Sequence, residues 1–123
     1  MPQKDRIIVT CGEFDPLSKE ELQFLRKCNM RGDWLIVGVH SDWWMMYARG
    51  GFMQNHETRC EIVKSLSCVD EVMSFNDSDG TVCQLLKIVK VCYPNADIVY
   101  VSQEDMKDMP ELKIKGIKFE TMK

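Results

Sequence analysis

Hydrophobic and polar residues follow two different periods along this chain, and the periods take turns. Arg6 to Cys11 (RIIVTC) is a short apolar run rich in β-branched residues, closed by Gly12. A run apolar on both faces predicts a strand buried on both sides. From Ser18 to Met30, Leu22, Leu25 and Cys28 recur at helical spacing with Phe24 beside them, and Gly32 ends the pattern. Trp34 to Val39 (WLIVGV) predicts a second buried strand. Glu57 to Leu66 predicts a helix with Cys60, Ile62, Val63 and Leu66 on one face. Asp70 to Phe75 (DEVMSF) reads as a third strand, and Thr81 to Cys92 as a helix with Val82, Leu85, Leu86 and Val89 inward. Ile98 to Val101 (IVYV) is a fourth strand, and Lys113 to Thr121 holds a weaker fifth.

Strand and helix in alternation imply crossover units on one parallel sheet, with helices on both faces. The expected fold class is therefore α/β, a three-layer Rossmann-like domain over residues 1–123 with a five-stranded parallel sheet. Ligands in such sheets sit beyond the carboxyl ends of the strands, near a switch in strand order. That directs attention to the turn Gly12 to Leu17, and to Trp43 and Trp44 at the same end of the sheet.

Composition narrows the picture. The 123 residues hold 45% hydrophobic and 28% charged side chains, the balance of a globular domain rather than a disordered tail. With 16 Lys+Arg against 19 Asp+Glu the formal net charge is -3. Nucleic acid is not an expected partner of a mildly acidic chain, since phosphate binding wants a basic face. No apolar run approaches the ~18 residues of a membrane span. The opening MPQKDRIIVT lacks the apolar core of a secretory leader, so a cytoplasmic location is expected. The six cysteines form no C-x-x-C pair and stand beside no spaced histidines, which argues against zinc and for reduced, mostly core thiols. No metal site is expected from spacing.

The turn Thr10-Cys11-Gly12-Glu13-Phe14-Asp15-Pro16-Leu17 resembles the first-strand motif of the cytidylyltransferase-like nucleotidyltransferases, written G-x-F-D-x-L-H-x-G-H. Gly32-Asp33-Trp34-Leu35-Ile36-Val37-Gly38-Val39 is similar to that family's second strand. Glu57-x-Arg59 matches its E-x-R, and Val69-Asp70-Glu71-Val72 its V-D-E-V. The segment Asp97 to Asp105 looks like the fourth strand and its acidic loop. By length and spacing the likeness is greatest to the small glycerol-3-phosphate cytidylyltransferases. What the resemblance implies is transfer of a nucleotidyl group from CTP or another nucleoside triphosphate to a phosphorylated alcohol, with release of pyrophosphate. It also implies a homodimer, and Mg²⁺ if the chain is active. Gly12, Glu13, Phe14, Asp15, Arg49, Arg59 and Asp105 fall on the nucleotide-binding side of the resemblance.

The departures from the pattern bear on chemistry. The H-x-G-H tetrad reads Ser18-Lys19-Glu20-Glu21, so both histidines are replaced and the glycine is Glu20. Catalytic residues are therefore not expected at Ser18, Glu20 and Glu21. Ser67 stands where relatives often carry Arg. The lysines expected after Asp42 give way to Trp43, Trp44, Met45 and Met46, and no I-S-T-T-x-I segment occurs within the 123 residues. Ser18 and Glu21 instead spell a capping box, with Leu17 and Leu22 as a hydrophobic staple. Such a box would satisfy the backbone N–H groups that otherwise face a phosphate. Four acids (Glu13, Asp15, Glu20, Glu21) against Lys19 add repulsion. At an effective dielectric near 20, a carboxylate ~4 Å from a phosphate oxygen costs roughly 4 kcal/mol, on the order of a thousandfold in affinity. The expectation is a pseudoenzyme acting through protein contacts or residual nucleotide binding, with an active nucleotidyltransferase as the alternative.

Several residues keep two readings. Gly12, Phe14 and Asp15 suit either a strand-ending turn or a retained nucleotide pocket. Arg59, near a helix start where a cation is disfavoured, is a ligand contact or an ion pair with Glu57 or Asp42. Asp15, Glu21 and Asp105 are separate acids or a Mg²⁺ set. His40 and His56 have no spaced partner and read as surface or core-edge residues. Trp43, Trp44, Met45 and Met46 form either a lid over the pocket or a partner surface.

Overall fold

The computed structural model describes residues 5–122. Five parallel strands, β1 (Arg6–Gly12), β2 (Trp34–Val39), β3 (Glu71–Met73), β4 (Asp97–Ser102) and β5 (Ile117–Thr121), lie in the order β3-β2-β1-β4-β5. Four helices connect them: α1 (Lys19–Asn29), α2 (Asp42–Arg49), α3 (His56–Lys64) and α4 (Cys83–Cys92). A 3₁₀ turn at Pro110–Lys113 precedes β5. The expected five-stranded α/β architecture is the one found.

The sheet separates two hydrophobic layers by strand alternation. Ile7, Val9, Ile36, Ile98 and Tyr100 point to one face and pack with Leu85, Leu86 and Val89 of α4. Ile8, Leu35, Val37, Val99 and Val101 point to the other, against Phe24, Leu25 and Cys28 of α1 and Val63 of α3. The central strand β1 pairs with β2 through Ile7↔Trp34 to Gly12↔Val39, and with β4 through Arg6↔Asp97 to Val9↔Tyr100. Gly38 is needed where the layers meet, since a Cβ there would lie 2.5 Å from Leu85 and 2.9 Å from Phe75.

One α-helix was not read from the sequence. The stretch after β2 is a helix, α2, opened by Ser41, whose hydroxyl accepts the N–H of Trp44, and closed by Gly50 at φ 76. Its apolar residues divide: Met45 is buried, whereas Trp43, Met46 and Tyr47 are exposed. The thiols are also less uniform than expected. All six are free, with Cys28 buried and Cys92 exposed.

Candidate functional site

The chain reverses its direction of sheet growth at β1, which has β2 on one side and β4 on the other. Crossovers leave toward opposite faces there, and a cleft opens beyond the strand ends. It has a volume of about 390 Å³ and is lined by Thr10 to Glu13, Ser102 to Glu104, and side chains from α1, α2 and the loops.

The first turn is built by mutual fit. Phe14 adopts φ 53, an uncommon conformation for a bulky residue, and buries its ring. A Cβ on residue 12 would lie 2.6 Å from that ring, so Gly12 is demanded by Phe14. Asp15 does not face the cleft as a free acid. Its carboxylate accepts the N–H groups of Met53 at 2.8 Å and Gln54 at 2.7 Å, tying the turn to the loop before α3.

The start of α1 carries the capping box that the sequence spells. Ser18 Oγ accepts the Glu21 N–H at 3.1 Å, and Glu21 Oε1 accepts the Ser18 N–H at 2.9 Å. Two of the helix's free donors are thus satisfied from within the chain. Glu20 beside them is exposed.

Glu13 and Arg49 meet across the mouth of the cleft. Arg49 Nε donates to both carboxylate oxygens of Glu13, at 3.0 and 3.2 Å, and Trp44 Nε1 donates to Oε2 at 3.3 Å. The cation from α2 that could receive a phosphate is held by a carboxylate of the same chain.

Arg59 has a different place. Its side chain is 0% exposed. Nη1 donates to the carbonyls of His40 and Glu13 at 2.7 and 2.9 Å, Nε to that of Gln54 at 2.9 Å, and Nη2 to Asp42 Oδ1 at 2.9 Å. The ion pair with Asp42 is therefore formed. The guanidinium clamps three loops at the strand ends rather than reaching into the cleft. Asp105 is exposed and accepts the Lys107 N–H at 3.1 Å. Asp15, Glu21 and Asp105 each bond a different stretch of backbone, and among the described residues no cluster of three acids, histidines or cysteines could hold a metal ion.

The polar floor of the cleft escaped the sequence reading. His40 is buried and its Nδ1 lies 2.9 Å from Asp77 Oδ2, a partner 37 residues away. Asp77 also accepts the Ser41 N–H at 2.9 Å and the Ser41 hydroxyl at 2.6 Å. Burial pushes the Asp77 carboxyl up, but these donors outweigh it and hold it below its ordinary value. For His40, burial wins over Asp77 and lowers the imidazole below 6.5. An ionised Asp77 can only accept, so a neutral His40 carries its proton on Nδ1. Nothing in the sequence joined these residues: Ser41 opens the helix that the sequence did not announce, and Asp77 stands in a loop with no spacing rule to connect it.

Trp43 and Tyr47 of α2 and Phe52 and Met53 of the loop after it are exposed, at 48%, 73%, 40% and 78%. Trp44 turns inward and stacks on His40 with ring centroids 4.5 Å apart. Of the four residues given two readings, Trp44 and Met45 turn inward and Trp43 and Met46 are exposed. No helix among the described residues is long and apolar enough to cross a membrane.

The chain and its fold have counterparts among known proteins. The model of the family described as Cytidylyltransferase-like matches residues 9–120. The bifunctional protein HldE of Helicobacter pylori (strain G27) is 35% identical over 89 residues, covering 71% of this chain and 19% of that protein. HldE of Hydrogenovibrio crunogenus is 32% identical over 91 residues, with the same shares. The chain thus spans about a fifth of the length of these relatives. Among solved structures, the lipopolysaccharide core biosynthesis protein from Thermoplasma volcanium superposes with a TM-score of 0.74 at 20% identity, over 96% of this chain and 95% of that one. The NadR protein, solved with NAD and AMP-PNP, reaches 0.64 at 15% identity, over 96% of this chain and 37% of that one.

Proposed function

Because the chain belongs to the cytidylyltransferase-like nucleotidyltransferase family, we propose that it is a catalytically degenerate member, a pseudoenzyme for nucleotidyl transfer. One observation carries the reading: two N–H groups at the α1 start and the Arg49 guanidinium, which would meet a polyphosphate, already bond to side chains of this chain. Ser18 and Glu21 take up N–H groups at the α1 start, and Glu13 takes up Arg49. Bound phosphate would have to displace carboxylates, each replaced at a cost of like-charge repulsion. The missing histidine pair would also have stabilised the charge that builds on the attacked phosphate.

Function then rests on contacts rather than turnover. The exposed Trp43, Met46, Tyr47, Phe52 and Met53 supply the aromatic and methionine content typical of interface centres. A second copy of this chain is the first partner to test, in keeping with the dimer the family resemblance implies, and the cytoplasm is the expected compartment.

The experiment is a pyrophosphate-release assay with CTP or ATP and a panel of phosphorylated alcohols and sugars, glycerol 3-phosphate included. The reading expects release no faster than in protein-free controls. Steady release that is lost in Asp15→Ala would establish the nucleotidyltransferase alternative instead.

A further inference from the structure

Beneath the cleft lies a group of side chains that nucleotidyl transfer does not use. Cys11, at the end of β1 and paired in register with Gly38, places Sγ 3.8 Å from His40 Nε2 and 3.1 Å from the Tyr100 hydroxyl. His40 Nδ1 is in turn 2.9 Å from Asp77 Oδ2. Cys11, His40 and Tyr100 all line the cleft. Trp44 stacks on the imidazole at an interplanar angle of 17°, which fixes the plane of the ring.

We propose that Cys11 is a nucleophile, with His40 as its general base and Asp77 as the residue that orients His40, and that it accepts an acyl group from a small uncharged ester or thioester. A thiol, a base within reach and a carboxylate fixing the base's tautomer together form the arrangement that activates a nucleophile for acyl transfer. In the step itself, Sγ attacks the carbonyl carbon while the thiol proton passes to His40 Nε2. The tetrahedral intermediate then collapses: the bond to the leaving oxygen or sulfur breaks, His40 returns the proton to that atom, and Cys11 is left as a thioester. The Tyr100 hydroxyl, 3.1 Å from Sγ, can turn its proton toward the oxygen on which negative charge develops.

The surroundings select the acyl donor. Three acids (Glu13, Glu21, Glu104) and one guanidinium (Arg49, already held by Glu13) line the cleft, which disfavours an anion. Burial, aided by Glu111, Asp77 and Glu13 and opposed by the Tyr100 hydrogen bond, pushes the Cys11 thiol up to about 11. Thiolate is therefore scarce at neutral pH, and the proton must leave during attack. Facing His40 are Asp77 from the loop before α4, Glu13 from the first turn and Arg59 from α3, and its imidazole is neutral at pH 7. The site goes beyond the pseudoenzyme reading and stands independently of it, since it requires neither a nucleotide nor the α1 start.

The full chain is treated with p-nitrophenyl acetate, a neutral activated ester, and acetylated cysteines are located by peptide mass mapping with the exposed Cys92 as internal control. At pH 7.5, Cys11 is expected to acetylate at least about tenfold faster than Cys92. Its rate should already be level by about pH 6.5, the ordinary histidine value, because His40 gives up its proton below that pH, instead of climbing with the thiolate. His40→Asn should slow Cys11 at least a hundredfold and leave Cys92 unchanged, the size expected for loss of a general base. Asp77→Asn should slow Cys11 and move its pH inflection. The anionic p-nitrophenyl hemisuccinate should react at least tenfold more slowly at Cys11 than the acetate. The proposal falls if wild-type protein acetylates at Cys92 and not Cys11, or if Cys11 follows a simple thiolate profile. Both readouts come from the unaltered chain, so they decide even if a variant does not fold.

Discussion

Arg49 and Glu13 hold each other across the cleft mouth at 3.0 Å, from a helix that follows β2 to the turn that follows β1. The pair is exposed on the arginine side, so its contribution to stability is small. Its effect on anions is larger, because one contact both neutralises the available cation and adds a carboxylate. Glu13→Gln should change unfolding free energy by less than ~1 kcal/mol. The same change should raise affinity for inorganic pyrophosphate at least about tenfold at low salt, with the gain fading as salt is added. Isothermal calorimetry at two ionic strengths measures both; equal affinity before and after substitution would remove Glu13 from the account.

The α1 cap has a stability signature of its own. Ser18→Ala leaves the Glu21 N–H without its acceptor, and urea denaturation should show a loss of ~1 kcal/mol. Ser18→Asp, which also caps, should restore most of it.

Arg59 should behave as part of the frame. Removing it strands three carbonyls and a carboxylate at the junction of β1, β2 and α3. Arg59→Ala is expected to cost ~3–5 kcal/mol, the range for breaking a buried charged network. Arg59→Lys should rescue little, because a single ammonium cannot reproduce a planar fork of donors aimed at four oxygens. Chemical denaturation of both variants checks this.

Acid should loosen the domain in two steps with the same sign. His40 is lowered in the folded state, so the unfolded chain binds its proton first: stability is full above 6.5 and declines as pH falls below that value. Asp77 is also lowered, so its contribution is present above 3.8 and is lost as pH falls further toward its folded value. Urea midpoints should hold above pH 6.5 and fall in two stages below it, and His40→Asn should remove the stage that starts at pH 6.5 while leaving the one below pH 3.8.

Much of the sheet was legible because its strands are apolar on both faces and its crossover helices have clear periods. Arg6–Gly12 and Trp34–Val39 could be read almost to the residue. The α1 cap was legible too, because a capping box is local: four consecutive residues contain both halves of each bond. Helix α2 was missed for the opposite reason. Its apolar residues face two ways, Met45 to the core and Trp43 and Tyr47 to solvent, so no single stripe announces it. Arg59 could be flagged as out of place near a helix start, but its three carbonyl partners carry no side-chain signal in the sequence. The Cys11–His40–Asp77 relay was invisible because parallel strands bring together residues from distant stretches of chain. Only the register of β1 against β2, Cys11 opposite Gly38, sets the thiol beside the histidine.

The claim that the phosphate cradle is closed by the chain's own side chains is tested most directly at the backbone amides of residues 18 to 21. Nitrogen–proton correlation spectra recorded during titration with Mg²⁺ and CTP read those groups one by one. The account predicts that the Ser18 and Glu21 amide signals stay in place at millimolar CTP. Saturable movement of those signals at micromolar CTP would contradict it.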